Sequence, residues 1–129
     1  MGSAYWVDLI ARLGIAFYFL WATWFNYKAW GHHISEFERV GVGPAAPALV
    51  IGLIASFAGA VLLLIPQTVV YGAAILIIFT ALADALFHRY WTYPDPHEQV
   101  IHKFFLFEHI ALIGGLLAVI APRLEHAPI

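Results

Sequence analysis

The chain has no cysteine, one methionine and few charges: six Lys and Arg against eight Asp and Glu in 129 residues. Without cysteine it can form no disulfide framework, hold no iron–sulfur cluster through thiolates and perform no thiol–disulfide exchange, so any redox role needs a bound cofactor or a partner. A net charge of −2 and a pI near 6.3 exclude the basic footprint of a nucleic-acid binder. Also missing are a glycine-rich nucleotide loop, an HExxH zinc motif, a serine in a recognisable nucleophile context and the inverted repeat of a transporter. The opening MGSAYWVDLIARLG has no basic stretch ahead of its apolar run, and Asp8 and Arg12 interrupt that run. It therefore does not read as a cleaved signal peptide, and the first apolar segment is expected to stay as a helix.

What the chain has is hydrophobic length. It is 63% apolar with a mean hydropathy of +0.84, against roughly 45–50% apolar in an ordinary soluble domain. Four apolar runs, near 7–27, 45–65, 69–87 and 103–121, each approach the roughly 20 residues that cross about 30 Å of hydrocarbon. Lipid offers backbone groups no partner, so runs of this kind must be helices. The expected fold is all-α, a transmembrane four-helix antiparallel bundle forming one domain over residues 1–129, in contact with the lipid bilayer.

GVGPAAP (residues 41–47), Pro66 and the pair Pro94 and Pro96 punctuate the runs. Four spans put both termini and the Pro66 hairpin on one side and two broad loops, 28–44 and 88–102, on the other. Lys28, Arg39, Arg89 and Lys103 lie by the broad loops, against Arg12 and Arg123 at the other end, which by the positive-inside rule points the broad loops to the cytoplasm. Gly52, Ser56, Gly59 and Ala60 in the second span and Gly114, Gly115 and Ala118 in the fourth read as close-packing positions. Trp21, Trp24, Phe25, Tyr27, Trp30, Tyr90, Trp91 and Tyr93 cluster at helix ends as an interfacial belt.

Ionisable groups within spans cost about 2.5–3.5 kcal/mol each on insertion scales and so require a partner or a function. Asp8 and Arg12, four apart, are expected to form a structural ion pair. Asp84 and His88, also four apart in ADALFHRYW (residues 83–91), would share a face, the carboxylate setting the imidazole tautomer and raising its basicity. On the fourth span His102 and His109 are seven apart and near one face, with Glu108 about 100° round. Six of the seven histidines, with Glu36, Glu38, Asp95, Glu98 and Glu108, gather on the broad-loop side. Such a collection suits a divalent metal, a haem ligand pair or a proton-linked quinone site.

FHRYW (residues 87–91), a proline-containing loop, and HKFFLFEHIALIGGLLAVIAP (residues 102–122) resemble the DoxX family of small four-helix membrane proteins, and LIARLGIAFYFLWATWFNYK (residues 9–28) is similar to that family's first helix. The likeness spans essentially the whole chain. His109 stands where the family usually has Asn, Ala55 or Ser56 where it has a Glu, and Thr23 to Phe25 where it has a Gly. The resemblance implies association with redox complexes, as a quinone-linked subunit or a membrane partner of oxidoreductases. It carries over to His88, Arg89, Trp91 and Arg12.

Three readings follow. In the first, the chain is an accessory subunit of a membrane oxidoreductase complex in electron transport, in a bacterial or archaeal cytoplasmic membrane, rather than an enzyme alone. His88 and Asp84 then act as a proton relay, and His88, Trp91, Tyr90 and His109 border a quinone. In the second the bundle is a scaffold without chemistry. In the third it binds a metal or haem through two of His88, His102 and His109 together with Glu108 or Asp84.

Overall fold

The computed structural model of the chain describes residues 1–125. Five helices account for nearly all of it: α1 (Ser3–Lys28), α2 (Trp30–Arg39), α3 (Ala45–Leu64), α4 (Val69–Phe87) and α5 (Pro96–Leu124). Among the described residues there is no strand. Four of the five, all but α2, are long and apolar enough to span a bilayer. Their outward faces carry Phe17, Ile51, Ile54, Ile78, Leu82, Phe104 and Ile110, each more than half exposed, an apolar belt that water would not tolerate and lipid does. The protein is an integral, multi-pass membrane protein.

Contacts between neighbouring spans run in opposite chain directions. Gly52 lies near Phe79, Gly59 near Leu76 and Gly72 near Leu63 across α3 and α4. Tyr18 meets His109 and Asp8 meets Arg123 across α1 and α5. The core between them consists of Ala16, Phe19, Ala60, Leu63, Ala73, Leu76 and Leu116. Glycine makes the tightest approach: a Cβ on Gly72 would lie 2.5 Å from the Leu63 nitrogen and 2.7 Å from the Gly59 oxygen. Small residues let backbones close up in this way, and in lipid that packing replaces the hydrophobic drive between helices. Gly59 serves the same seam, whereas Gly114 faces open space and Ala118 is exposed. The expected packing role of those last two is thus not met within the chain.

The terminal side is pinned by an ion network. Asp8 receives Arg12 Nε at 2.9 Å, as the four-residue spacing anticipates, and also Arg123 Nη2 at 2.6 Å from α5. Arg12, 3% exposed, donates further to the Leu63 and Leu64 carbonyls at 3.2 and 3.3 Å. Those are among the last carbonyls of α3, which have no partner within the helix and sit at its negative dipole end. Thr68 Oγ1 donates to Leu62 O at 2.8 Å, so one buried guanidinium and one hydroxyl close the end of α3.

Two boundaries differ from the expected ones. The 28–44 segment contains α2, a ten-residue polar helix held by an Arg39–Glu36 pair at 3.0 Å. It stops where Gly41 adopts φ +78°, with Gly41 N–H donating to Glu38 O and Val42 N–H to Phe37 O, the paired bonds of a Schellman stop. α5 begins at Pro96 rather than near 103, because Asp95 caps it by accepting from the His97 amide at 3.1 Å and proline is preformed for the first helical position.

Candidate functional site

At the loop end of the bundle, all five helices contribute to one cavity of about 350 Å³. Its walls are mostly flat rings, among them Trp21, Phe25, Phe79 and Phe105, and its polar edge includes His88, His102 and His109. α2 supplies His32, His33, Glu36 and Phe37 to the same cavity.

The polar groups meet through helix register. α4 ends at Phe87 and His88 is its cap, with φ −111° and ψ 28°. Having left helical geometry, His88 does not bond Asp84 through its side chain. Its ring sits between those of His102 and His109, with centroids 5.2 Å from each, and its Nδ1 is 2.9 Å from His102 Nδ1. Asp84 reaches instead across to α5, where its Oδ1 lies 2.6 Å from His109 Nδ1. The other nitrogen of His109 meets the Tyr18 hydroxyl at 3.2 Å. The expected Asp84–His88 pair is therefore replaced by a Tyr18–His109–Asp84 chain, and the tautomer of His109 is set from both sides. One donor atom each from Asp84, His88 and His109 falls within 4.8 Å of the others.

Remaining expected residues stand apart. Trp91 is 61% exposed, and neither it nor Tyr90 lines the cavity, so the expected role of the pair in bordering a bound ring is not met. Glu108 is exposed on the other flank of α5, outside the Asp84, His88 and His109 cluster. Arg89 and His97 are exposed as well. His102 is in the cavity wall, stacked on Tyr93 with ring centroids 4.0 Å apart and planes 8° from parallel.

Tyr18 lines the cavity and did not figure in the expected site; nor did Tyr93, which packs on the cavity residue His102, while Glu36, expected only as one of the gathered carboxylates, lines the cavity too. Tyr93 is buried and ties the loop to the bundle. Its hydroxyl proton is shared between two acceptors, Phe87 O at 2.7 Å and Glu36 Oε2 at 3.0 Å, and its oxygen accepts from Arg39 Nη2 at 2.6 Å. Burial pushes the Tyr93 phenol up to about 12, and the hydrogen bond to Glu36 and the Glu36 charge add to the effect. Burial alone would raise the Glu36 carboxyl, but the hydrogen bonds from Arg39 and Tyr93 and the Arg39 charge outweigh it and hold that carboxyl below its ordinary value. Burial, with His32 beside it, pushes the His33 imidazole down. The mouth is thus closed by an α2-to-loop clasp that is distinct from the histidine cluster beneath it.

No family model, curated protein or solved structure matches the chain.

Proposed function

We propose that the protein is a small integral subunit of a quinone-linked redox complex, its cavity receiving the ring of a quinone-type carrier. The observation that carries this reading is the cavity itself: about 350 Å³, within the range of small-molecule sites, with aromatic walls that fit a planar ring and imidazoles along one edge. A quinone ring needs an apolar slot and N–H or O–H donors for its carbonyl oxygens; His88 and His102 stand at that edge. The likeness of FHRYW and the fourth span to the DoxX family supports the same reading and the placement in a bacterial or archaeal cytoplasmic membrane. Partner subunits would dock on the outward aromatic surface, where Phe17, Trp24 and Phe104 are exposed.

The test is a titration of the purified protein in nanodiscs with a short-chain benzoquinone, read by tryptophan fluorescence. Trp21 lines the cavity, so saturable quenching is expected, and it should shrink in Trp21→Phe. His102→Leu should weaken binding about tenfold, the worth of one hydrogen bond of about 1.4 kcal/mol. Quenching that rises linearly with quinone, and equally in all three proteins, would leave only partition into lipid and return the protein to a scaffold role.

A further inference from the structure

We propose that Asp84, His88 and His109 form a binding site for a divalent transition-metal ion at the edge of the cavity. The proposal goes beyond the quinone reading and does not depend on it.

The donors come together through the fold rather than through a sequence motif. Asp84 lies on α4 and His88 caps that helix, while His109 belongs to α5, and one ligand atom of each lies within 4.8 Å of the others. An ion with bonds of about 2.0–2.2 Å draws such donors to roughly 3–3.5 Å apart. The spread is therefore within about 1.5 Å of a closed site, a gap side-chain rotation can cover. Asp84 Oδ1 and His109 Nδ1, 2.6 Å apart in a hydrogen bond, must lose that proton and part by less than about 1 Å to admit the ion, and His88, the cap residue held at Nδ1 by His102, swings in to complete the site.

Charge favours a cation here. Asp84 is 8% exposed within a span, and its side-chain partner is an imidazole. Among the described residues no Lys or Arg reaches it, whereas Asp8 at the opposite end has two arginines. A buried carboxylate at membrane depth is costly unless balanced. A divalent ion balances it and uses the imidazoles as neutral ligands. One turn before Asp84 on the same helix, Thr80 is 2% exposed and its hydroxyl has no hydrogen-bond partner, a spare buried polar group.

Two borderline imidazoles and one hard carboxylate together suit ions such as Fe²⁺, Mn²⁺, Co²⁺ and Zn²⁺ and leave coordination positions open. His88 and His109 both line the cavity, so an added ligand would come from that space. Two further groups orient the rings: His102 Nδ1 stands 2.9 Å from His88 Nδ1 and the Tyr18 hydroxyl 3.2 Å from His109 Nε2. Partners of this kind set the position and tautomer of metal-bound histidines. His102 and Tyr18 are positioning residues, and Glu108 takes no part.

The experiment uses chelator-treated full chain in detergent, without quinone, titrated with Co²⁺ and followed by its visible d–d absorption. One Co²⁺ per chain with a saturating spectrum is expected, displaced by Zn²⁺. Asp84→Asn and His88→Gln should each weaken binding on the order of 100-fold, and His102→Ala about 10- to 100-fold. His88→Gln serves if Asp84→Asn fails to fold, because the cap residue is only half-buried. Glu108→Gln and the double change His32→Ala with His33→Ala should bind as the parent does. Unchanged affinity in both Asp84→Asn and His88→Gln would overturn the proposal, as would loss of binding in the His32 and His33 variant with retention in the other two.

Discussion

Replacing Gly72 by alanine tests the seam on which the rest of the bundle is built. The added Cβ would meet three backbone atoms of α3 at 2.5, 2.7 and 2.8 Å, and backbone cannot swing aside as a side-chain tip can. Restoring ordinary contact at 3.4 Å requires α3 and α4 to part locally by about 0.9 Å. A gap of that size forfeits a quarter to a half of each dispersion contact it opens, and the contacts concerned belong to Leu63, Leu76 and Ala73, all fully buried. Overpacking of this kind costs typically about 1–3 kcal/mol, here toward the upper end, offset by about 1 kcal/mol of better helix propensity. The net expectation is a loss of about 2 kcal/mol. The matched control is Gly114→Ala, where nothing lies within 4 Å and only the propensity gain remains. Equilibrium unfolding in mixed micelles, read by circular dichroism, should place the two variants on opposite sides of the parent. Equal stability of Gly72→Ala and the parent would refute the close approach of α3 and α4.

The terminal network and the mouth clasp make separate predictions. Asp8→Asn leaves Arg12 and Arg123 facing one another without their shared carboxylate, and since Asp8 is partly exposed the expected loss is about 2 kcal/mol rather than the 3–5 of a fully buried pair; an unchanged unfolding midpoint would show the network to be idle. Tyr93, whose phenol is pushed up to about 12, contributes stability that is complete below its ordinary value near 10 and is lost as pH rises through about 12. The absorbance difference between the parent and Tyr93→Phe should accordingly show a phenol ionising near pH 12, and an ionisation near 10 would contradict the clasp. Glu36, held below its ordinary value, contributes stability that is present above that value and lost as pH falls through the lowered one. Protection of the α2 amides, measured against the intrinsic exchange rate at each pH, should therefore stay high at pH 5 and fall at more acid pH; protection that is equally low at both would remove Glu36 from the contact.

Much of the architecture was legible because lipid narrows the choices. The four spans follow from run length, and the Asp8–Arg12 pair from helical spacing, since both partners sit on one helix. The two missed boundaries had local signals: Asp95, Pro96 and Glu98 form a helix start, and the Glu36–Arg39 spacing followed by Gly41 forms a short helix and its stop. The packing faces were less legible. In a soluble helix the inward face is the apolar one, but lipid tails are as apolar as a core. Nothing in the residues around Gly72 and Gly114 distinguishes the seam from the lipid surface, and Gly72 did not stand out while Gly114 did.

The candidate site divides in the same way. The concentration of histidines and carboxylates at one end is a property of the sequence, because chain order and span length together decide which end each residue reaches. The bonding within it is not, because it depends on where α4 stops and how α5 is turned. Phe87 ends α4, His88 swings out as a cap, and Asp84 pairs with a residue 25 positions away instead of one four positions away. Arg123 likewise reaches Asp8 across 115 positions. By itself the sequence determined the class, the spans and the polar end, since backbone hydrogen bonding in lipid admits only helices and closed barrels, and apolar runs this long and continuous fit the helix. The tertiary structure alone decided the partners, since side-chain pairing between helices depends on rotation and register, and an apolar helix in an apolar solvent carries no mark of either.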